Sequence, residues 1–158
     1  MGIFQSIFYR LNKKSIDKAL LKFKKIPIDI VYNIIEKSCW RYGIKCEVIL
    51  KTKTELELKL TGKKEITLLK FHKAFVVFKE DYEKMLSLGE IIFAKKIVYI
   101  TTGVFHGEVY KENMWRISRC KVILDDNYNF IKRQVWLKKD FRDHLKYKKL
   151  DFSRYLPL

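Results

Sequence analysis

The segment Ile100-Thr101-Thr102-Gly103-Val104-Phe105 places two hydroxyls and a glycine at the end of an apolar run, Ile97-Val98-Tyr99-Ile100. Such a run reads as a buried strand. Hydroxyls and free backbone N–H groups at the end of a buried strand stand where open α/β sheets bind ligands. The same residues also suit a plain tight turn with Gly103 at positive φ. A second stretch, residues 132–149, holds Lys132, Arg133, Lys138, Lys139, Arg142, Lys146, Lys148 and Lys149 against Asp140 and Asp143. Trp136, Phe141 and Tyr147 are interleaved. Basic side chains neutralise phosphates and release counterions, and aromatic rings stack on bases. The competing reading is a solvated helix face whose aromatics dock on the core.

The charge balance points the same way. Among 158 residues, 34 Lys and Arg stand against 18 Asp and Glu, a net charge of +16. A surface so unbalanced repels itself, and a polyanionic partner is the usual reason for it: nucleic acid first, an anionic membrane surface second. Hydrophobic residues at 48% and aromatics at 15% make the chain globular and long enough for one domain with a sizeable core. No apolar run approaches the length of a membrane span, and Arg10, Lys13 and Lys14 follow the apolar start instead of preceding it, unlike a secretory signal. Cys39, Cys46 and Cys120 lack C-x-x-C spacing, and His72, His106 and His144 form no zinc-ligand pattern with them. Such thiols fit core positions in a reducing, cytoplasmic compartment.

The elements that must position these residues follow from periodicity. Ile3, Phe4, Ile7, Phe8 and Leu11 predict a short amphipathic helix over 2–11. Ile16, Ala19, Leu20 and Phe23 predict a second helix, capped by Ser15 and ended by Pro27. A third runs from about 29 to 42, with Gly43 as its stop. Three strands are expected over 44–50, 54–60 and 65–71. The middle one alternates Leu56, Leu58 and Leu60 with Glu55, Glu57 and Lys59, and Thr61-Gly62-Lys63-Lys64 makes the hairpin turn. A helix over 79–94, weakened by Gly89, leads to the 97–100 strand. A helix over 106–120 and a strand over 121–124 complete a right-handed parallel crossover. Cys39 and Cys120 fall in predicted helices and Cys46 in a predicted strand. A last helix covers 127–137, and the basic, aromatic 138–158 has no assignable pattern. The division expected is an N-terminal helical extension over 1–26, a domain over 27–137 and a tail over 138–158.

This order resembles the Mrr-type restriction endonuclease domain of the PD-(D/E)XK superfamily over roughly residues 27–137. The likeness rests on the helix ending in Tyr42-Gly43, the three-stranded meander whose third strand carries Lys70, the strand ending in Thr101, Thr102 and Phe105, and the closing Val122-Ile123-Leu124-Asp125. It implies an α/β fold with a restriction-endonuclease-like mixed sheet flanked by helices. It also implies a carboxylate on the second strand and a Glu or Gln two residues before the lysine, which together hold Mg²⁺ while the lysine orients or activates the attacking water. Glu57, or Glu55, stands on the second strand, and Asp29 or Glu36 matches the acid of the preceding helix. Leu68 occupies the position of the second acid, so the motif is degenerate. Without the resemblance, Glu55 and Glu57 read as a solvated strand face.

The leading expectation is a nucleic-acid-binding protein, DNA before RNA, built on a degenerate nuclease-like domain. Its remnant site would be Glu57 and Lys70, with Thr101, Thr102, Lys132, Arg133, Lys138, Lys139, Arg142 and Lys146 on nucleic acid and no required cofactor. One rival is an active Mg²⁺-dependent endonuclease with migrated acids, held by Glu57 with Asp29 or Glu36. Another is a scaffold or membrane-surface protein. Met1-Gly2-Ile3-Phe4-Gln5-Ser6 fits a myristoylation pattern, and the helix behind it also suits packing or homo-oligomerisation. Acids clustered beside Lys70 favour the enzyme, a basic groove without them favours the binder, and an uncharged groove with an exposed apolar N-terminal helix favours the scaffold.

Overall fold

The computed structural model describes residues 7, 10, 11, 13–136 and 150–158. Lys138, Lys139, Arg142 and Lys146 lie outside the described residues, as does most of the predicted 2–11 helix. Of that helix, Ile7, Arg10 and Leu11 are helical and exposed.

Helix α1 (Lys13–Lys24) buries Ile16, Ala19 and Phe23, one stripe at helical spacing. Ser15 lies inside it and is not its cap, a correction to the expected start. Helix α2 (Ile28–Arg41) begins after Pro27, whose extended backbone at φ −69° presets the entry. It ends at Gly43, which adopts φ 66° and so reverses the chain as a side-chain-bearing residue rarely does.

Strands β1 (Lys45–Lys51), β2 (Glu55–Thr61) and β3 (Ile66–His72) form an antiparallel meander. A register shift between Val48 and Leu50 marks a bulge in β1. A short strand β4 (Val76–Val77) precedes helix α3 (Lys79–Ile91) and strand β5 (Lys96–Thr101). Strand β6 (Val104–Phe105), helix α4 (Gly107–Trp115), strand β7 (Lys121–Asp125) and helix α5 (Asn127–Trp136) follow. The main sheet has the order β1-β2-β3-β5-β7, and β4 pairs with β6 in a separate parallel pair. β3, β5 and β7 run parallel, so the expected crossover between β5 and β7 is present. The fold is therefore a mixed α/β one, a five-stranded mixed sheet flanked by helices, as the resemblance implies.

Two apolar layers cover the sheet. On one face Leu56, Leu58, Leu60, Leu69, Phe71, Val98 and Ile100 meet α1, α2 and α5. On the other, Leu68, Ile97 and Tyr99 meet Tyr82 and Met85 of α3 and Val109 of α4. Gly89, which weakens the sequence signal for α3, is explained here. A Cβ at this position would lie 2.5 Å from Ile97 Cδ1, so the glycine lets the helix approach β5.

The three-part division does not hold as packing. Phe23 of α1 stacks on Phe130 of α5 at 4.7 Å and meets Phe71 edge-on at 5.7 Å. Phe152, Tyr155 and Leu156 from the end of the chain are buried in the same layer. The supposed N-terminal extension and the last residues of the supposed tail are thus parts of one core. Helix α4 is shorter than expected: Arg116 is already extended, and Cys120 lies beyond the helix, before β7.

The Thr-Thr-Gly turn also differs from its simplest reading. Among the described residues Gly43 is the glycine with positive φ, and Gly103 is not. Gly103 is required because a Cβ there would sit 2.1 Å from the Ala74 carbonyl oxygen and 2.2 Å from that of Phe75. Val104 N–H donates to the Phe75 carbonyl at 3.0 Å, which holds the two segments together. Gly103→Ala should therefore destabilise the protein by about 3 kcal/mol, the upper range for overpacking. Gly107→Ala, with nothing within 4 Å of its added Cβ, should change stability by less than about 0.5 kcal/mol. Urea midpoints at unchanged slope report both.

Candidate active site

Pairing register, not sequence proximity, builds the site. Glu57 of β2 faces Lys70 of β3, which faces Tyr99 of β5. One step along, Glu55 faces His72, which faces Thr101. Side chains two apart on a strand share a face, so the two rows lie side by side on the α3 and α4 side of the sheet.

Lys70 is the centre of this cluster. Its side chain is 6% exposed, and its Nζ donates to Glu57 Oε1 at 2.9 Å and lies 3.4 Å from Glu55 Oε1. The ammonium also stands 5.4 Å from the centre of the Tyr99 ring, within range of a cation–π attraction. The carboxylate side chains are 13% exposed for Glu57 and 26% for Glu55. A single buried cation thus holds two acids, an arrangement stable only while all three are present.

His72 extends the network. Its Nε2 lies 3.2 Å from Glu55 Oε1 and its Nδ1 lies 2.9 Å from the Tyr99 hydroxyl. Burial pushes the imidazole pKa below its ordinary value, outweighing the attraction of Glu55. The ring is accordingly neutral at pH 7, with Nε2–H donating to Glu55 and Nδ1 accepting from Tyr99. Burial, followed by the charges of Asp81, Glu55 and Glu57, raises the Tyr99 pKa, so its phenol stays protonated and can donate. His72 and Tyr99 were not signalled by the sequence. His72 stands two residues after Lys70, the same-face spacing that could have flagged it.

Two carboxylates beside Lys70 are the feature expected of the endonuclease, and the structure supplies them in Glu55 and Glu57. The fit to Mg²⁺ is nevertheless poor. The Lys70 ammonium sits between the two carboxylates where a cation would have to sit, and like charge excludes it. Leu68, opposite Lys59, is fully buried in the apolar layer with Ile97 and Tyr99, so no second-acid position opens toward the cluster. Among the described residues no group of three or more His, Cys, Asp or Glu is arranged to hold a metal ion. Asp29 does not join the site: its carboxylate pairs with Lys51 at 2.6 Å. Glu36 accepts from the Tyr32 hydroxyl at 2.7 Å on the exposed side of α2, also away from the cluster.

The expected nucleic-acid contacts fare unevenly. Thr101 shares the face of the cluster but is fully buried, and its Oγ1 accepts from Gly103 N–H at 3.2 Å. Thr102 is buried too, with its N–H donating to the His72 carbonyl. Both serve the turn and are not presented to a ligand, which corrects the sequence reading. Arg133 is committed to Asp125, its Nε 3.2 Å from Oδ1 of that fully buried carboxylate. Lys132 lies over the Tyr128 ring at 4.5 Å. No helix among the described residues is long and apolar enough to cross a membrane.

No protein-family model matches the chain, and no curated protein matches it. Among solved structures the chain is similar to the MspJI restriction endonuclease in complex with a 27-mer oligonucleotide, at 11% identity and a TM-score of 0.35. That alignment covers 97% of this chain and 36% of the other, so the chain spans little more than a third of that protein's length.

Proposed function

We propose that the protein binds nucleic acid, DNA before RNA, through a degenerate Mrr-type nuclease domain that does not cleave. The observation that carries this reading is the position of Lys70, whose ammonium bridges Glu57 and Glu55 at 2.9 and 3.4 Å and so fills the space between the carboxylates. Metal-assisted phosphodiester cleavage needs a cation there to stabilise phosphate charge and acidify the attacking water. The net charge of +16 supports the polyanionic partner.

A second reading, a Mg²⁺-dependent endonuclease, is favoured by Glu55 standing beside Glu57, because two acids and a lysine are the minimum such a site needs. One set of assays separates the two. Plasmid, linear duplex and single-stranded substrates are incubated with Mg²⁺ or Mn²⁺, and binding is measured alongside. The expected outcome is salt-sensitive binding with no cleavage. Cleavage that disappears in both Glu57→Ala and Lys70→Ala would establish the endonuclease instead.

A further inference from the structure

Helix α1 on one face of the sheet and helices α3 and α4 on the other carry opposite charge, while α2 beside α1 is neutral. Helix α1 holds five lysines against the single acid Asp17, a net +4, and Lys25 follows directly. On the other face α3 holds two lysines against four acids, a net −2, and α4 holds one lysine against two acids, a net −1. The Glu57–Lys70 cluster lies on that second face, beneath these two helices of net negative charge. The lysines of α1 are all exposed.

We propose that a nucleic-acid duplex docks along the lysine face of α1, on the side of the sheet opposite the Glu57–Lys70 cluster. The inference rests on the nucleic-acid reading above and gives it a location and a substrate form. At about 1.5 Å per residue the helix is roughly 18 Å long, about half of the ~34 Å duplex repeat, so it can follow one stretch of backbone. Lys14 and Lys18 are one turn apart on the same face, and no aromatic side chain is exposed on α1. The face therefore contacts phosphates and does not stack on bases, which selects duplex over single strand and carries no sequence preference. A lipid surface is the weaker fit. The apolar stripe of α1, Ile16, Ala19 and Phe23, is already spent in the core, leaving Leu21 as its one large exposed apolar side chain.

The test compares two double variants with equal charge loss, Lys14→Gln/Lys18→Gln on α1 and Lys84→Gln/Lys111→Gln on α3 and α4. Binding of the full chain to a 20-bp duplex of arbitrary sequence, to a single strand of the same length and to phosphatidylserine vesicles is measured against salt. The α1 pair should weaken duplex binding on the order of tenfold and flatten the log–log salt slope by about two, while the α3/α4 pair changes neither. Equal effects from both pairs, or a larger effect from the α3/α4 pair, would overturn the location and leave the nucleic-acid reading standing. Tighter binding of the single strand than of the duplex would overturn the substrate form. A wild-type chain that binds neither nucleic acid, with or without binding vesicles, would overturn both the inference and the reading beneath it.

Discussion

Replacing Lys70 with methionine should lower the unfolding free energy by about 3–5 kcal/mol at pH 7, the usual effect of removing one partner from a buried ion pair. Methionine keeps much of the volume and deletes the charge. Glu57 and Glu55 are then left as two carboxylates sharing one little-exposed site. Two like charges held together at so little exposed a site repel each other, which adds to the loss. Adding Glu57→Gln to the variant should recover much of the loss at pH 7. Millimolar Mn²⁺ should raise the melting point of Lys70→Met and leave the wild type unmoved, since ligand binding to the folded state stabilises it in proportion to occupancy. A wild type equally stabilised by Mn²⁺ would mean that Lys70 does not close the carboxylate pair.

The second large effect concerns the end of the chain. Removing residues 150–158 should abolish cooperative unfolding altogether. Phe152, Tyr155 and Leu156 are each buried to within 2% of completeness. At about 1.5–3 kcal/mol for each large apolar side chain, their loss amounts to roughly 5–9 kcal/mol, comparable to the ~5–15 kcal/mol that a whole domain has in hand. Polar ties go with them. The Tyr155 hydroxyl donates to Asp125 Oδ2 at 2.6 Å, and the Gln134 side chain exchanges two 2.8 Å hydrogen bonds with the Asp151 backbone. Lys96 Nζ donates to the Leu156 carbonyl at 2.9 Å. Tyr155→Phe separates packing from polarity: it removes only the bond to Asp125 and should cost about 1.5–3 kcal/mol. A truncated protein with a sharp thermal transition in calorimetry would show that the core closes without its last contributors.

Much of this architecture is written in local pattern. The alternation of Leu56, Leu58 and Leu60 with Glu55, Glu57 and Lys59 sets which face of β2 is buried, and that alternation carries Glu57 to the same face as Lys70. The parallel crossover followed from an apolar strand, a helix and a second short strand in that order. What local pattern could not convey was pairing between distant strands. Tyr99 looks like any buried strand residue until its register against Lys70 is known, and His72 looks isolated until Glu55 is seen across from it. Gly103 was legible as a turn residue, but its cause lies in the backbone of residues 74 and 75, which no nearby residue announces. Residues 150–158 lack periodicity because they are held by single anchors, so their burial depends on a surface that the other elements make. Thr101 and Thr102 show the converse error: residue types suited to a ligand were used by the turn itself.

The core joins the first helix to the last described residues. Phe23 stacks on Phe130, and Phe130 meets Phe152 at 5.4 Å and Tyr155 at 6.3 Å. On the ribosome Phe23 emerges well before Phe130, Phe152 and Tyr155. The β1–β2–β3 meander is local and can pair as soon as it emerges. Its leucine face, however, must then wait for the C-terminal aromatics, roughly ten seconds at ordinary elongation rates. During that interval the nascent chain displays an apolar sheet beside a lysine-rich helix. Holding chaperones are the natural occupants of such a surface, and rapid elongation past residue 150 should raise the yield of folded protein in a cell-free translation system.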